Sequence, residues 1–217
     1  MEKGVDMITG EELGNFVKTR SWYQTIEFEE GVVSKGCQWC GDPAWGNIIK
    51  FLPDSLEGMR ILDLGCNAGL FCVRSALMGA KEVIGIDYTG WRPNWDFEEQ
   101  QVFVKNYFEQ KLGKELPITY LSGKMDEILK GQDLGKFDYV YGIASLYYTD
   151  DPDGTVKSIS EITDKAIVRL RTDNIIERFT TLFKKYGFRE ERVLREEWWK
   201  VLDRETDDFY LYLFQKD

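Results

Sequence analysis

The chain has 217 residues, of which 43% are hydrophobic and 30% charged, and its formal net charge is −10. This length buries a full core and predicts one globular domain with some elaboration. No apolar run approaches the ~20 residues of a membrane span, and the charge disfavours a broad phosphate-binding face, although it does not forbid a local basic cleft that would admit a nucleic acid.

Two further features of the composition restrict the chemistry. The sequence contains no histidine, which excludes a histidine-based triad or metal site and leaves proton transfer to other side chains or to water. The N-terminal stretch MEKGVDMITGEEL has neither the basic region nor the apolar core of a secretory signal, so a cytoplasmic location is expected.

Residues 1–59 precede the predicted sheet and contain a charged helix candidate, Glu11–Thr19. The segment after this candidate is rich in aromatic residues, among them Trp22, Tyr23, Trp39 and Trp45. Their rings either pack the segment onto the sheet or close over the strand ends as a lid that contacts substrate. We expect the segment to form such a lid and to set substrate specificity.

Cys37 and Cys40 form a single C-x-x-C motif in the stretch GCQWCG. A four-thiolate zinc site needs a second such pair, whereas Cys66 and Cys72 lie six residues apart in another region. Because glycines flank the motif on both sides, the sequence predicts a loop with reduced cysteines, and no metal site is expected.

From residue 60 onward, short apolar strands alternate with helices. The predicted strands are Arg60–Leu64, Glu82–Asp87, Ile118–Leu121, Phe137–Ile143 and Ala166–Leu170. The predicted helices are Leu70–Gly79, Asp96–Leu112, Gly154–Thr163 and one that Thr172, Asp173 and Asn174 cap and that runs to Tyr186. This alternation predicts right-handed crossovers and a doubly wound parallel sheet.

The C-terminal part contains two further predicted strands, Glu190–Arg195 and Phe209–Gln215, which pair antiparallel at one edge. The expected fold is therefore an α/β domain over residues 60–217. It has a mostly parallel, seven-stranded, Rossmann-like sheet with an antiparallel C-terminal edge, and residues 1–59 form an N-terminal helical lid. Ligands of such sheets bind beyond the carboxyl ends of the strands.

The stretch ILDLGCNAGLF, residues 61–71, ends the first strand in a glycine turn. A dinucleotide-binding fingerprint is excluded because other residues stand where its second and third glycines belong, and a P-loop is excluded because no Lys-Ser or Lys-Thr pair follows. The remaining pattern is Gly65-x-x-x-Gly69 after a strand that carries Asp63, with Asp87 closing the next strand.

Three features in order, DLGCNAG, GID at 85–87 and FDYVYGIASLYY, resemble the class I S-adenosylmethionine-dependent methyltransferases over roughly residues 59–217. The resemblance implies S-adenosylmethionine as cofactor. The glycines admit its adenosyl and methionine parts, the following helix N-terminus favours the methionine carboxylate, and Asp87 accepts from both ribose hydroxyls. Asp63 and Asp87 together would repel a diphosphate but not a sulfonium cation.

The resemblance also implies roles for residues after the third and fourth strands. Met125 is expected against the adenine ring, and Asp126 is expected to accept from its exocyclic amine. The residues that the resemblance assigns to cofactor binding are Asp63, Gly65, Cys66, Asn67, Gly69, Asp87, Tyr88, Met125, Asp126, Ile143 and Ala144.

The stretches WYQTIEFEEGVVSKG, RSALMGAKEVIGID and SLYYTDDP resemble, more narrowly, the group of tRNA wobble-uridine 5-oxyacetic acid methyltransferases and their small relatives. Gln24 and Tyr148 stand where that group has two histidines. Some of its members use a carboxylated cofactor, which needs a cationic partner. Arg169 and Arg171 are either that partner or members of ion pairs at the sheet end, and the ion pairs are favoured.

Tyr147 and Tyr148 lie where the family meets substrate and are the expected catalytic residues. Ordinary tyrosine has a pKa near ~10, so orienting the acceptor is favoured over removing its proton. Asp150 and Asp151 are alternative bases. The residues expected to contact substrate or form the lid are Trp22, Tyr23, Trp45 and Arg171.

These observations predict methyl transfer to an O, N or C atom of a small-molecule acceptor. Two alternatives stay open at this point. A tRNA-modifying methyl or carboxymethyl transferase would have a basic cleft mouth, and a non-catalytic cofactor-binding subunit would have aromatic side chains plugging the cleft.

Overall fold

The structure is a computed structural model that describes residues 8–29, 31–88, 95–196 and 209–217, apart from the side chains of residues 38 and 39. The helices are α1 (Gly10–Thr19), α2 (Asp42–Ile48), α3 (Leu70–Leu77), α4 (Phe97–Leu112), α5 (Met125–Gly131), α6 (Pro152–Ile162) and α7 (Asp173–Lys185). The strands are β1 (Gln24–Thr25), β2 (Glu27–Glu29), β3 (Val32–Val33), β4 (Cys37–Gly41), β5 (Arg60–Leu64), β6 (Glu82–Asp87), β7 (Ile118–Ser122), β8 (Tyr139–Ile143), β9 (Lys165–Arg171), β10 (Arg189–Glu196) and β11 (Phe209–Gln215).

In the described residues, seven strands form one sheet in the order β10-β11-β9-β8-β5-β6-β7. The five strands from β9 to β7 pair in parallel, and β11 pairs antiparallel with both β9 and β10. The predicted mostly parallel sheet with an antiparallel C-terminal edge is therefore confirmed. Strand order reverses between β5 and β8, and the loops that leave these two strands separate into a crevice at their carboxyl ends.

Local chemistry sets the helix ends. α1 begins with a capping box in which Thr9 accepts from the Glu12 N–H and the Glu12 carboxylate accepts from the Thr9 N–H. α4 ends where Gly113 adopts φ +63°. α7 begins at Asp173 as expected, but the Thr172 hydroxyl donates to the Arg171 carbonyl, so Thr172 makes no capping bond to the helix.

The apolar core has two parts, one on each face of the sheet. On one face, Trp22 and Phe28 of the N-terminal segment pack in the same cluster as Phe71 of α3 and Phe108 of α4. On the other face, α5, α6 and α7 cover the sheet, with Phe179 and Phe183 fully buried. The N-terminal segment thus completes the core on the α3 and α4 side.

The N-terminal segment differs from the sequence expectation in two ways. It is not purely helical, because β1 pairs with β4 and β2 pairs with β3 in two small sheets. The stretch Cys37–Gly41 is the strand β4 and not a loop, since its backbone pairs with β1, although the register shifts between Gln24 and Thr25. Its Cys40 side chain is buried, and neither Cys37 nor Cys40 forms a disulfide within the part of the chain that the structure describes.

Two features outside the prediction remain. The short helix α5 follows β7 directly and was not expected from the sequence. Among the described residues, no helix has both the length and the apolar character that crossing a membrane requires.

Candidate cofactor cleft

A cleft of about 240 Å³ opens at the carboxyl ends of β5, β6, β7 and β8. This is the position that the reversal of strand order predicts for a ligand. The residues that line it are Tyr23, Gly65, Asn67, Ile86, Asp87, Tyr88, Gly123, Lys124, Met125, Asp126, Ile143, Ala144, Ser145, Tyr148, Thr149 and Asp150.

The glycine turn after β5 forms one wall of the cleft. Gly65 and Gly69 both have positive φ, +78° and +80°. A Cβ on Gly65 would lie 2.3 Å from the Cβ of Ser145, and one on Gly69 would lie 2.2 Å from the Tyr120 hydroxyl oxygen. Both positions therefore require glycine for space as well as for conformation.

Asp87 stands at the end of β6 and holds the turn to the neighbouring strand. Its Oδ2 accepts from the Asn67 N–H at 2.6 Å, and its Oδ1 accepts from the Tyr88 N–H at 2.6 Å. A carboxylate oxygen has room for more than one donor, so each oxygen can still accept from a ligand hydroxyl in the cleft.

Two buried acceptors in the cleft lining have no hydrogen-bond donor in the described structure. They are Oδ1 of Asn67 and Oδ1 of Asp126, whose residues are 4% and 6% exposed. Buried oxygens are normally satisfied, so their position indicates a ligand that brings donors. S-adenosylmethionine carries an adenine amine, ribose hydroxyls and an ammonium group, and therefore fits this set of acceptors.

Three residues expected to contact the cofactor, one in β5 and two in the turn itself, do not line the cleft. They are Asp63, Cys66 and Gly69, and the first two are at most 1% exposed. The Cys72 thiol donates to Oδ2 of Asp63 across 3.6 Å. Burial raises the pKa of Asp63 to about 7, with the Asp87 charge acting in the same direction and the Cys72 thiol opposing it.

The two tyrosines after β8 have different environments. Tyr148 is 56% exposed and lines the cleft, whereas Tyr147 is partly buried and does not. The Arg171 guanidinium lies 5.2 Å from the Tyr147 ring centroid. Burial raises the pKa of Tyr147 above its ordinary value, so this phenol stays protonated near neutral pH and is not a general base.

The carboxylates of this loop are engaged by lysines. Asp150 lines the cleft, and its Oδ2 lies 2.6 Å from Nζ of Lys124. Asp151 lies 2.7 Å from Nζ of Lys130 and caps α6 by accepting from the Gly154 N–H. Asp151 is thus a helix cap that does not line the cleft.

Of these N-terminal aromatic residues, Tyr23 lines the cleft and Trp22 and Trp45 do not, while the side chain of Trp39 lies outside the described part of the structure. Trp22 is 5% exposed and donates from its indole N–H to the Val17 carbonyl. Trp45 stacks on Phe71 with 6.0 Å between ring centroids. Trp22 and Trp45 belong to the packing of the segment onto α3 and α4.

Arg169 belongs to a buried ion pair next to the cleft. Its Nε lies 2.6 Å from Oε2 of Glu196, and both side chains are 1% exposed. Glu196 also accepts from Nδ2 of Asn47 at 2.7 Å. Arg169 lines a small cavity behind Gly65 that also borders Tyr23. Arg171 lines neither cavity.

Sequence reasoning missed three residues that build the site. Ser145 packs against Gly65 and donates from its hydroxyl to the Leu64 carbonyl. Gln24 and Gln101 are buried and bond to the glycine turn from outside the sheet. Ser145 is the second residue after β8, and its small side chain was a readable signal. Gln24 was noted only because it stands where the similar group has a histidine, and nothing in the sequence marked Gln101.

The comparison of sequences gives one family and a set of relatives. The family described as methyltransferase domain matches residues 41–192. The tRNA U34 carboxymethyltransferase of Alcanivorax borkumensis is 34% identical over 115 residues, which cover 53% of this chain and 32% of that protein. The enzyme of the same name from Marinobacter nauticus is also 34% identical, over 53% of this chain and 31% of its own. The match thus spans about a third of the length of these relatives.

The comparison of structures shows the fold. The N-terminal domain of EvdMO1, determined in the presence of SAH and D-fucose, superposes with a TM-score of 0.68 at 14% identity, covering 99% of this chain and all of that one. An S-adenosylmethionine-dependent methyltransferase from Mesorhizobium loti gives a TM-score of 0.60 at 19% identity, covering 81% of this chain and 99% of its own.

Proposed function

The chain belongs to the methyltransferase-domain family, as a class I S-adenosylmethionine-dependent enzyme, and from that premise we propose that it methylates a small-molecule acceptor. The observation that carries the choice of acceptor is the charge of the cleft. Its lining contains Asp87, Asp126 and Asp150 but, among the residues described, a single cation, Lys124, which is paired with Asp150.

The proposed cofactor contacts follow from the acceptors in the lining. Asp87 would accept from the ribose hydroxyls, and Asp126 from the adenine amine with Met125 against the ring. Asn67 and the Gly65 backbone would hold the methionine part. S-adenosylmethionine supplies a methyl group already activated by a sulfonium centre, so the work left to the protein is positioning and exclusion of water.

The acceptor would enter between Tyr148, which follows β8, and Tyr23 of the N-terminal segment, since both side chains line the cleft. We assign Tyr148 to orienting the acceptor, since the neighbouring Tyr147 is kept protonated by burial and lies off the cleft. Residues 8–59 act as the lid in this proposal through Tyr23, with Trp22 and Trp45 fixing the lid to the core.

A polyanionic acceptor fits this mouth poorly. Tight binding of nucleic acid draws much of its affinity from clustered Lys and Arg. Here the lining is acidic, and the chain as a whole carries a net charge of −10.

A second candidate is a tRNA-modifying methyl or carboxymethyl transferase, and the observation that favours it is the name shared by the curated relatives. A carboxylated cofactor would need a cation near the cleft, and Arg169, which is buried and lines the small cavity behind Gly65, is the candidate. The Glu196 carboxylate already balances its charge, which is why we rank this candidate second.

Native mass spectrometry of the purified protein tests the cofactor, since a retained nucleoside reveals by its mass whether it is carboxylated. A labelled-methyl screen then compares a metabolite mixture with bulk tRNA. We expect label in metabolites. Label confined to tRNA would replace the first candidate with the second.

The variant Asp87→Ala tests the cofactor site directly. Loss of charge-assisted bonds of about 1.5–3 kcal/mol each predicts S-adenosylhomocysteine binding weaker by a factor of about ten to a hundred in calorimetry. Asp138→Ala is the matched control, because Asp138 also accepts from a backbone N–H, that of Arg60 at 2.7 Å, but precedes β8 at the opposite end of the sheet. Equal affinity of Asp87→Ala and the parent would remove the site assignment.

A further inference from the structure

The backbone of the cofactor turn, residues 65–70, has more polar groups than the sheet can satisfy. The N–H groups of Gly65 and Cys66 donate to the Ile86 carbonyl at 2.8 and 3.1 Å. The Asn67 N–H donates to Asp87. The Cys66 carbonyl accepts from the Gly69 N–H at 2.8 Å within the turn itself. The Leu70 N–H and the Asn67 carbonyl belong to the same buried turn, and buried backbone groups need partners.

Two glutamines supply partners for these groups. Gln24 of β1 accepts from the Leu70 N–H at 3.3 Å and donates to the Cys66 carbonyl at 3.4 Å. Gln101 of α4 donates from Nε2 to the Asn67 carbonyl at 2.7 Å. One glutamine therefore bonds to each side of the turn, and neither lines the cofactor cleft.

The contact of Gln24 with Leu70 takes the place of a helix cap. α3 begins after Gly69, which has no side chain to accept from the first N–H groups of the helix. The amide oxygen of Gln24 reaches one of these donors from a different part of the chain. The start of α3, at the end of the cofactor turn, thus depends on the N-terminal segment.

Gln24 itself is held rigidly. It is 3% exposed, and its backbone carbonyl accepts from the Ser34 hydroxyl at 2.7 Å. A Cβ on Gly36 would lie 2.3 Å from the Gln24 carbonyl carbon, so the two backbones are in direct contact. Because the Gln24 backbone is packed against other residues of the N-terminal segment, a shift of this segment would move the Gln24 side chain and, with it, the turn that it contacts.

We propose that Gln24 and Gln101 are positioning residues that clamp the peptide groups of the cofactor turn, and that Gln24 thereby couples the N-terminal segment to cofactor affinity. The inference rests on the cofactor site of the proposed function. Neither side chain touches the cofactor. Without the clamp, the peptide planes of the turn reorient toward other partners, and binding has to restore their order.

The test is calorimetric titration of S-adenosylhomocysteine into the full chain and its variants. Gln24→Leu and Gln101→Leu keep the approximate side-chain volume but remove the hydrogen bonds. A neutral hydrogen bond is worth about 0.5–1.5 kcal/mol, so each variant should bind about three- to tenfold more weakly.

Gln100→Leu is the matched control. Gln100 is the adjacent glutamine of α4, is fully buried, and donates to the Ser21 carbonyl at 2.9 Å, so it also ties α4 to the N-terminal segment. It does not bond to the turn. We expect Gln100→Leu to lower the thermal stability while the affinity for S-adenosylhomocysteine stays that of the parent.

Rescue by Gln24→His separates positioning from simple packing. The Gln24 amide donates one bond and accepts one bond at the turn. A neutral imidazole also offers one donor and one acceptor, whereas imidazolium has two donors and no acceptor. At pH 8, affinity should therefore recover toward that of the parent, and at pH 5.5, below the ordinary histidine pKa of about 6.5, it should fall again. The ionisable residues around Gln24 are Tyr23, Cys37, Cys40, Cys66 and Arg169, and the parent measured at both pH values corrects for them.

The outcomes are distinct. A parent that does not bind S-adenosylhomocysteine overturns the cofactor site and the clamp together. A parent that binds, with Gln24→Leu and Gln101→Leu binding equally well, overturns the clamp alone. If Gln100→Leu weakens binding as much as the other two variants, the glutamines act through general packing, and the proposal is also wrong.

Discussion

Single residues in this protein fall into those that face the cleft and those that lie directly behind it. Asp87 and Asp126 belong to the first group, and Asp63 and Cys66 to the second. The motif in the sequence contains both groups without distinguishing them. β5 is buried on both faces, so the alternation that would tell inward from outward positions is missing.

The buried carboxyl group of Asp63 leads to a prediction about the pH dependence of stability. Its pKa is raised to about 7 by burial, so it is protonated in the folded protein at acidic pH. A raised carboxyl pKa contributes stability that is fully present below about 4, the ordinary value, and is lost as the pH rises through 7. Between pH 5 and pH 8 the parent should thus lose about 2–3 kcal/mol of unfolding free energy through this group.

Asp63→Asn checks this prediction, because the amide mimics the protonated acid and does not titrate. When the pH is raised from 5 to 8, the unfolding free energy of the variant, measured by urea titration, should increase relative to that of the parent by about 2–3 kcal/mol. Parallel pH dependences of the two proteins would mean that Asp63 titrates normally.

Among the elements, the strands and helices of the sheet were the most predictable part. Three strands, β5, β6 and β11, have the bounds that the sequence predicts. Apolar runs between turn residues define each of these strands. β4 was expected to be a loop because glycines flank it. It is a strand because Gly36 and Gly41 allow its backbone to approach β1 closely, a long-range contact that local propensity does not encode.

The candidate site was predictable to a similar limit. The glycine turn and Asp87 could be read from their spacing, and both line the cleft. Which aromatic side chains of the N-terminal segment are buried and which one lines the cleft could not be read from the sequence, because Trp22, Tyr23 and Trp45 are all aromatic. Their different positions depend on packing against α3 and α4, which is decided by the tertiary structure.

The Arg169–Glu196 pair gives the prediction at the scale of elements. It joins β9 to β10 across the intervening β11, and Asn47 connects it to α2. Glu196→Gln would leave a buried guanidinium without its counter-charge, so we expect a loss of about 3–5 kcal/mol in unfolding free energy by urea titration.

Two comparisons support the interpretation of that experiment. The double variant Arg169→Met with Glu196→Leu should recover most of the loss, because apolar side chains remove the buried charge. Glu161→Gln, in the exposed pair with Lys157, should change stability by less than about 0.5 kcal/mol. A Glu196→Gln variant as stable as the parent would contradict the assigned role.

At the scale of the whole molecule, the N-terminal segment and the sheet share one core. Trp22 and Phe28 lie in one apolar cluster with Phe71 and Phe108, so neither part can bury its surface without the other. We therefore expect a single cooperative unfolding transition. Hydrogen exchange of peptides from α1, α4 and β8, followed through a urea titration, should give one common midpoint. Exchange of the α1 peptide at lower urea would show that residues 8–59 detach independently.

Tyr23 and Gln24 are neighbours on the chain, and they reach two different parts of the site. The ring of Tyr23 borders the cleft, while the amide of Gln24 reaches the start of α3. One peptide step therefore carries both contacts, and both side chains also line the small cavity behind Gly65. With the roles proposed for these two residues, a recombination event that exchanged this segment between relatives would change the acceptor preference and the nucleoside affinity together. A mutation that altered one of the two properties would therefore be constrained by the other.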